Sequence, residues 1–160
     1  MLPDCLAPGL NLVFCGTAAS TRSAQRQAYY AGPGNMFWRT LHEIGLTPTQ
    51  LVPEAFRSLL GFGIGLTDLV KGKSGMDHVL TKADFDRDAL DDRLRRYQPR
   101  ILCFTGKKAA QVYFQTAALA YGLQADRRLE VTQFFIAPST SGAANRYWDR
   151  SVWQALADLV

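Results

Sequence analysis

Residues 12–20 read LVFCGTAAS, an apolar run that stops at Gly16 and gives way to four small side chains. A charge-free run closed by glycine has the pattern of a strand buried on both faces. The loop after it offers no ionisable group and little bulk, so what it provides is close access to the backbone.

Working outward, the same pattern recurs in IGLTDLV (64–70), where Asp68 interrupts it, in ILCFTG (101–106) and in VTQFFIAPSTSG (131–142). The last of these runs into a second small-residue loop. Helical periodicity fills the intervals. In NMFWRTLHEIG (35–45), Phe37, Trp38, Leu41 and Ile44 share a face, Asn35 is placed to cap the helix and Gly45 to end it. TPTQLVPEAFRSLLGFG (47–63) predicts a second helix with Pro53 near its first turn. DFDRDALDDRLRRYQPR (84–100) is amphipathic, acidic early and basic late as the macrodipole favours. Further helices are expected from Lys107 to about Phe114 and in the tail YWDRSVWQALADLV (147–160).

Charge-poor strands alternating with helices predict a mainly parallel sheet covered on both faces, a three-layer α/β/α architecture. At 160 residues the chain is the size of one domain. Ligands on such sheets bind beyond the carboxyl ends of the strands, where the loops after Gly16, Val70, Gly106 and Pro138 should cluster.

Composition narrows the partners. Hydrophobic content of 48% with 20% charged residues is ordinary for a globular fold. No apolar run reaches the roughly 18 residues of a bilayer span, so no membrane partner is expected. The start, MLPDCLAPGL, lacks the basic region and long apolar core of a signal peptide, and the expected location is the cytoplasm. Three cysteines without paired spacing (Cys5, Cys15 and Cys103) argue against a disulfide framework or a zinc site. A net charge of +4 and a pI near 9.1 suit a polyanionic partner. The basic residues are scattered, so contact with phosphates must be assembled by the fold.

Elimination then restricts the chemistry. His42 sits on a helix beside Arg39 and Glu43, off the apolar face, and His78 has no partner at triad or ligand spacing. A histidine-based nucleophile or a metal cluster is not expected. GTAAS lacks the G-x-G-x-x-G spacing and FTGKKAA lacks that of a P-loop, so no nucleotide cofactor is expected. What remains at the ligand edge is the loop after Gly16, YYAGPGN (29–35), the carboxylate of Asp68, and APSTSGAANR (137–146). A tyrosine pair before Gly-Pro-Gly can present a flat ring over a pocket, which suits a planar heterocycle. One acid, one aromatic platform and two tight loops suffice to hydrolyse an N-glycosidic bond. That reaction passes through an oxocarbenium-like sugar, which a fixed carboxylate stabilises while orienting water.

The succession FCGTAAS, YYAGPGNMFWRTLHEIGLTP, GIGLTDLV, a GK-AA turn after a strand, and APSTSGAANRYW resembles the mismatch-specific uracil/thymine-DNA glycosylases of the uracil-DNA glycosylase superfamily. The likeness runs from about Asn11 to the final helix. It implies a four-stranded parallel sheet between helices, and an enzyme that flips a base out of DNA and hydrolyses its bond to the sugar with water. By position it implies that Tyr30 stacks on the extruded base, that Gly16, Thr17, Ala18, Ala19 and Ser20 form the pocket loop, and that PSTSGAAN enters the helix.

One departure matters. Such enzymes carry Gly-Ile-Asn-Pro-Gly in the first loop, and its asparagine positions the attacking water; here Ala18 stands in that place. Alanine neither donates nor accepts, so the polar group must come from elsewhere, and Asp68 is the candidate. Its alternative role is to cap the next loop or to pair with Lys71 or Lys73. Tyr29 and Tyr30 can equally be packing residues. Asn35 is first a helix cap and second a pocket contact.

Ser139, Thr140, Ser141, Gly142 and Ala143 of the second loop, with Lys107 and Arg146, are the expected DNA contacts, although the serines can also serve only the turn. Ala143 and Ala144 stand where a bulkier wedge would be expected. Trp38 and Trp148 read as core. The expected partner is uracil-containing DNA, mismatched or single-stranded, bound by a monomer without metal or cofactor. No lysine matches a Schiff-base position, so strand cleavage is not expected. A lesion- or abasic-site-binding protein is the alternative, and a nucleoside-processing hydrolase a third reading.

Overall fold

The four charge-poor runs become parallel strands in a computed structural model that describes residues 2–71 and 87–160. In chain order the elements are β1 (Leu12–Gly16), α1 (Thr21–Arg26), α2 (Phe37–Glu43), 3-10 turns (Pro53–Phe62), β2 (Ile64–Asp68), α3 (Arg87–Tyr97), β3 (Ile101–Thr105), α4 (Lys107–Phe114), β4 (Gly122–Leu129), β5 (Thr132–Ala137), a 3-10 segment (Gly142–Tyr147) and α5 (Arg150–Leu159). The sheet order is β2-β1-β3-β5-β4, with β4 antiparallel to β5 at one edge.

The expected four-stranded sheet therefore has a fifth strand. β4, GLQADRRL, carries three charges, alternates between half-buried and exposed positions, and shifts register between Leu123 and Arg128. Such a polar, irregular edge strand leaves little hydrophobic signal to read. A second difference lies in residues 53–62. The expected α-helix is a run of 3-10 turns, broken where Ala55 adopts φ −91° and ψ 17°.

Alternation along the strands sorts the core into two layers. Leu12 and Phe14 of β1, Ile101 and Cys103 of β3, and Phe135 of β5 enter one core with residues of α2, the 3-10 turns and α5. Val13, Cys15, Leu102, Phe104, Phe134 and Ile136 enter the other, beneath α3 and α4. In the first core, Trp153 of α5 stacks on Phe14 with ring centroids 5.5 Å apart, and Phe37 meets Phe14 edge-on at 5.0 Å. The three-layer α/β/α arrangement follows from these two faces. Trp38 is buried, and Trp148 is half-buried against the first core.

Two features position the site. The chain leaves β1 to pair β2 on one side and β3 on the other, so the strand order reverses at β1. Crevices at such reversals, outside the carboxyl ends, are where open α/β sheets hold ligands. The amino-terminal segment also lies against β2: the amides of Cys5 and Leu66 donate to each other's carbonyls at 2.9 and 2.8 Å. Gly65 permits this approach, because a β-carbon there would stand 2.7 Å from the Cys5 carbonyl oxygen. Leu2 and Asp4 are thereby brought beside the end of β2.

Candidate active site

The carboxyl ends of β1, β2 and β3 converge on a cavity of about 690 Å³, within the range of small-ligand sites. Gly16 pairs in register with Asp68. A β-carbon on Gly16 would lie 3.0 Å from Asp68 Oδ1, 3.5 Å from Thr105 Oγ1 and 3.6 Å from the Tyr30 hydroxyl. Three polar groups from β2, β3 and the loop after α1 thus meet over one bare glycine.

Asp68 is 4% exposed and lines the cavity. Burial pushes its carboxyl up to about 6, an effect reinforced by Asp4 and opposed by Lys71 and Arg93. Lys71 Nζ stands 3.7 Å from Asp68 Oδ2 and 2.8 Å from Asp4 Oδ1, and donates to the Leu2 carbonyl and the Tyr29 hydroxyl, each at 3.0 Å. Arg93 reaches in from α3 and donates to the Asp68 carbonyl at 2.9 Å and to Thr67 Oγ1. Thr67 in turn donates to Asp4 Oδ1 at 2.6 Å. Lys71 therefore stands behind the carboxylate, Arg93 holds the main chain of Asp68, and Asp4 links Lys71 to Thr67, while Oδ1 faces Gly16. The pairing with Lys71 is present; Lys73 and His78 lie outside the described residues.

The first loop is held at both ends. Leu69 N donates to the Gly16 carbonyl at 2.9 Å, and Val70 N to that of Thr17 at 2.6 Å. Ser20 caps α1, accepting from Ser23 N at 3.1 Å. Ser23 Oγ then accepts from Ala31 N at 2.9 Å, tying this loop to the tyrosine segment. Gly16, Thr17, Ala18, Ala19 and Ser20 all line the cavity.

Tyr29 and Tyr30 separate cleanly. Tyr29 is core, 2% exposed, with its hydroxyl donating to the Pro3 carbonyl at 2.9 Å. Tyr30 sits at φ +52°, a left-handed conformation uncommon for a bulky residue. Its neighbours impose it: Trp38 Nε1 donates to the Tyr29 carbonyl at 2.9 Å, and Arg26 to that of Ala31 at 2.9 Å. One face of the Tyr30 ring is stacked on Phe37 at 3.9 Å, and its hydroxyl lies 3.0 Å from Thr105 Oγ1. Burial first, and then the Asp68 charge, raise its phenol well above the usual range, so it stays a neutral hydrogen-bonding group.

The second loop is anchored by Trp153, whose Nε1 donates to the Pro138 carbonyl at 3.0 Å, and by Met36 N, which donates to the Thr140 carbonyl at 2.9 Å. Ser139, Thr140, Ser141, Ala143 and Lys107 line the cavity. Gly142 packs toward Gly34, and Arg146 is exposed beside Tyr147; neither is part of the lining. The serines also serve the turn: Ser139 Oγ accepts from Ser141 N at 3.2 Å, and Ser141 Oγ from Ala143 N at 3.3 Å. Asn35 lines the cavity, and its Oδ1 accepts from Phe37 N at 2.9 Å; the cap position of α2 is Met36 rather than the expected Asn35.

A model of the "Uracil DNA glycosylase superfamily" matches residues 3–160. The chain belongs to the uracil DNA glycosylase superfamily. Its fold is also that of a solution NMR structure from Methanosarcina acetivorans, a protein provisionally named a uracil DNA glycosylase. That match has 24% identity and a TM-score of 0.71, covering 99% of this chain and 96% of the other.

Sequence reasoning missed four lining or supporting groups. Thr105 ends an apolar strand and signals nothing by itself. Asp4 meets Lys71 only through the amino-terminal segment. Tyr121 lines the cavity from just before β4, and Tyr147, expected to open the final helix, closes the 3-10 segment instead, with α5 starting only at Arg150.

Proposed function

We propose that this protein is a monofunctional glycosylase that excises uracil from mismatched or single-stranded DNA, in the manner of the mismatch-specific branch of its family. Asp68 takes the role of the first-loop asparagine that Ala18 cannot fill. The observation that supports this most strongly is Asp68 Oδ1 at 3.0 Å from the β-carbon position of Gly16, both residues lining the same cavity.

In this reading the target nucleotide leaves the stack, at a cost of a few kcal/mol that is least for an unpaired or mispaired base. The base enters over Gly16–Ser20. Its stacking surface is the face of Tyr30 turned away from Phe37. As the glycosidic bond breaks, its electron pair leaves with the base and the sugar becomes cationic. The ionised Asp68 stabilises that charge and orients a water, whose oxygen bonds to the anomeric carbon as its proton passes to the Asp68 carboxylate; the departing base anion then takes up a proton and Asp68 returns to its ionised form. The products are free uracil and an abasic site, with the strand intact.

The test is a time course on a uracil-containing oligonucleotide, followed by alkali, with wild type, Asp68→Ala and Asp68→Asn. We expect alkali-labile product from wild type and a fall on the order of 10² to 10³ in rate for either variant. Near-wild-type rates in the variants would remove Asp68 from the mechanism. Alanine at position 18 supports a second reading, a lesion- or abasic-site-binding protein; a salt-sensitive gel shift without product in wild type is its signature.

A further inference from the structure

The second loop carries alanines at 143 and 144, and the aromatic side chain nearest them is Tyr147, at the end of the Gly142–Tyr147 segment. Tyr147 is 53% exposed yet lines the same cavity as Asp68. Arg146 lies over it, guanidinium carbon 4.9 Å from the ring centroid, and donates to its hydroxyl at 2.7 Å. Tyr121 also lines the cavity, and Lys107 Nζ stands 4.4 Å from its ring centroid. Tyr121 and Tyr147 thus line one and the same cavity. Neither Lys107 nor Arg146 meets a carboxylate within ion-pair distance among the described residues.

Two tyrosines, each with a cation against it, in the wall of a cavity roomy enough for more than one base are the components of a stacking platform for unpaired nucleobases. Every base has a π-face, so such a platform is indifferent to sequence, and the cations suit the backbone phosphates. The alanines point the same way. A duplex that has lost one base from its stack needs the gap filled, and methyl groups fill little. An unpaired strand has no such gap and needs only a surface for its neighbouring bases.

We infer that the rim formed by Tyr121 and Tyr147, with Lys107 and Arg146, seats an unpaired base adjacent to the nucleotide being excised, making single-stranded DNA the preferred substrate class. This rests on the glycosylase reading for the occupant of the inner cavity.

The experiment places 2-aminopurine next to uracil in a single-stranded oligonucleotide and in the same strand annealed opposite a guanine-containing complement. Wild type should quench the probe in the single strand on binding. Tyr147→Ala and Tyr121→Ala should lose the quench and weaken single-strand affinity by roughly 10- to 100-fold, the range for one base–aromatic stack. Duplex affinity should change much less. Tyr147→Phe should keep wild-type affinity, because the ring rather than the hydroxyl is used. Unchanged affinity in both alanine variants, equal losses on single strand and duplex, or a Tyr147→Phe protein as weak as Tyr147→Ala would each overturn the inference. Quenching needs no bond cleavage, so a protein that binds this way without excising uracil would refute the catalytic reading and leave the stacking rim standing.

Discussion

Asp68 Oδ1 and Gly16 are matched across the β1–β2 pair so closely that a single added carbon at position 16 would stand 3.0 Å from the carboxylate. That separation is tighter than ordinary van der Waals contact, and the carboxylate would have to give way. Gly16→Ala is therefore expected to fold and to lose on the order of 10²-fold in excision rate, the scale of a misplacement of about 1 Å. Single-turnover kinetics beside a thermal melt check both halves.

The excision rate should follow the ionisation of Asp68. With its carboxyl pushed up to about 6, activity climbs as pH rises through that value and levels off above it. Lys71 and Arg93 favour the charged form and Asp4 disfavours it, so Lys71→Met moves the midpoint upward and Asp4→Asn moves it downward. Lys71→Arg stays near wild type. A rate that is flat from about pH 5 to 8 would contradict the role of Asp68.

Stability should move against activity at the same residue. The folded protein holds the Asp68 proton more tightly than the unfolded chain does. Stability therefore falls as pH rises from about 4 to about 6, and the penalty persists above. A rise from 3.8 to about 6 corresponds to on the order of 3 kcal/mol, a figure already reduced by the attraction to Lys71. Asp68→Asn is expected to be more stable than wild type by about 1–3 kcal/mol at pH 7.5, an advantage that vanishes near pH 4. Urea unfolding at the two pH values measures it.

Trp153→Phe keeps a ring against Phe14 but removes the donor to the Pro138 carbonyl. Leaving that buried acceptor unmet costs about 1–3 kcal/mol. For a chain of this size the melting temperature should drop by roughly 2–10 °C. Because Pro138 opens the second loop, affinity for an oligonucleotide should weaken in the same variant. A fluorescence-anisotropy titration below the new melting point reports it.

What the sequence made legible follows from where the signal is physical. Leu12–Gly16, Ile64–Asp68, Ile101–Thr105 and Thr132–Ala137 are charge-poor because both faces of a central parallel strand are buried, and their ends set the crevice. β4 escaped notice because an edge strand beside solvent tolerates Asp126, Arg127 and Arg128. Residues 53–62 carry helical spacing, yet Ala55 and the glycines at 61 and 63 give 3-10 turns. In the site, Asp68 stood out as an acid in an apolar run. The Lys71–Asp4–Thr67–Arg93 support depends on the amino-terminal segment folding back on β2, a contact no local pattern encodes.

The amide of Met36 and the carbonyl of Thr140 join the segment that follows Gly-Pro-Gly to the segment that follows β5. The two segments are thus joined by a main-chain hydrogen bond, and Gly142 packs toward Gly34 beside it. On the proposed reading, a movement of the second loop that frees the polynucleotide would also shift the wall beside the heterocycle. The expectation is one shared departure step for both products instead of two in succession.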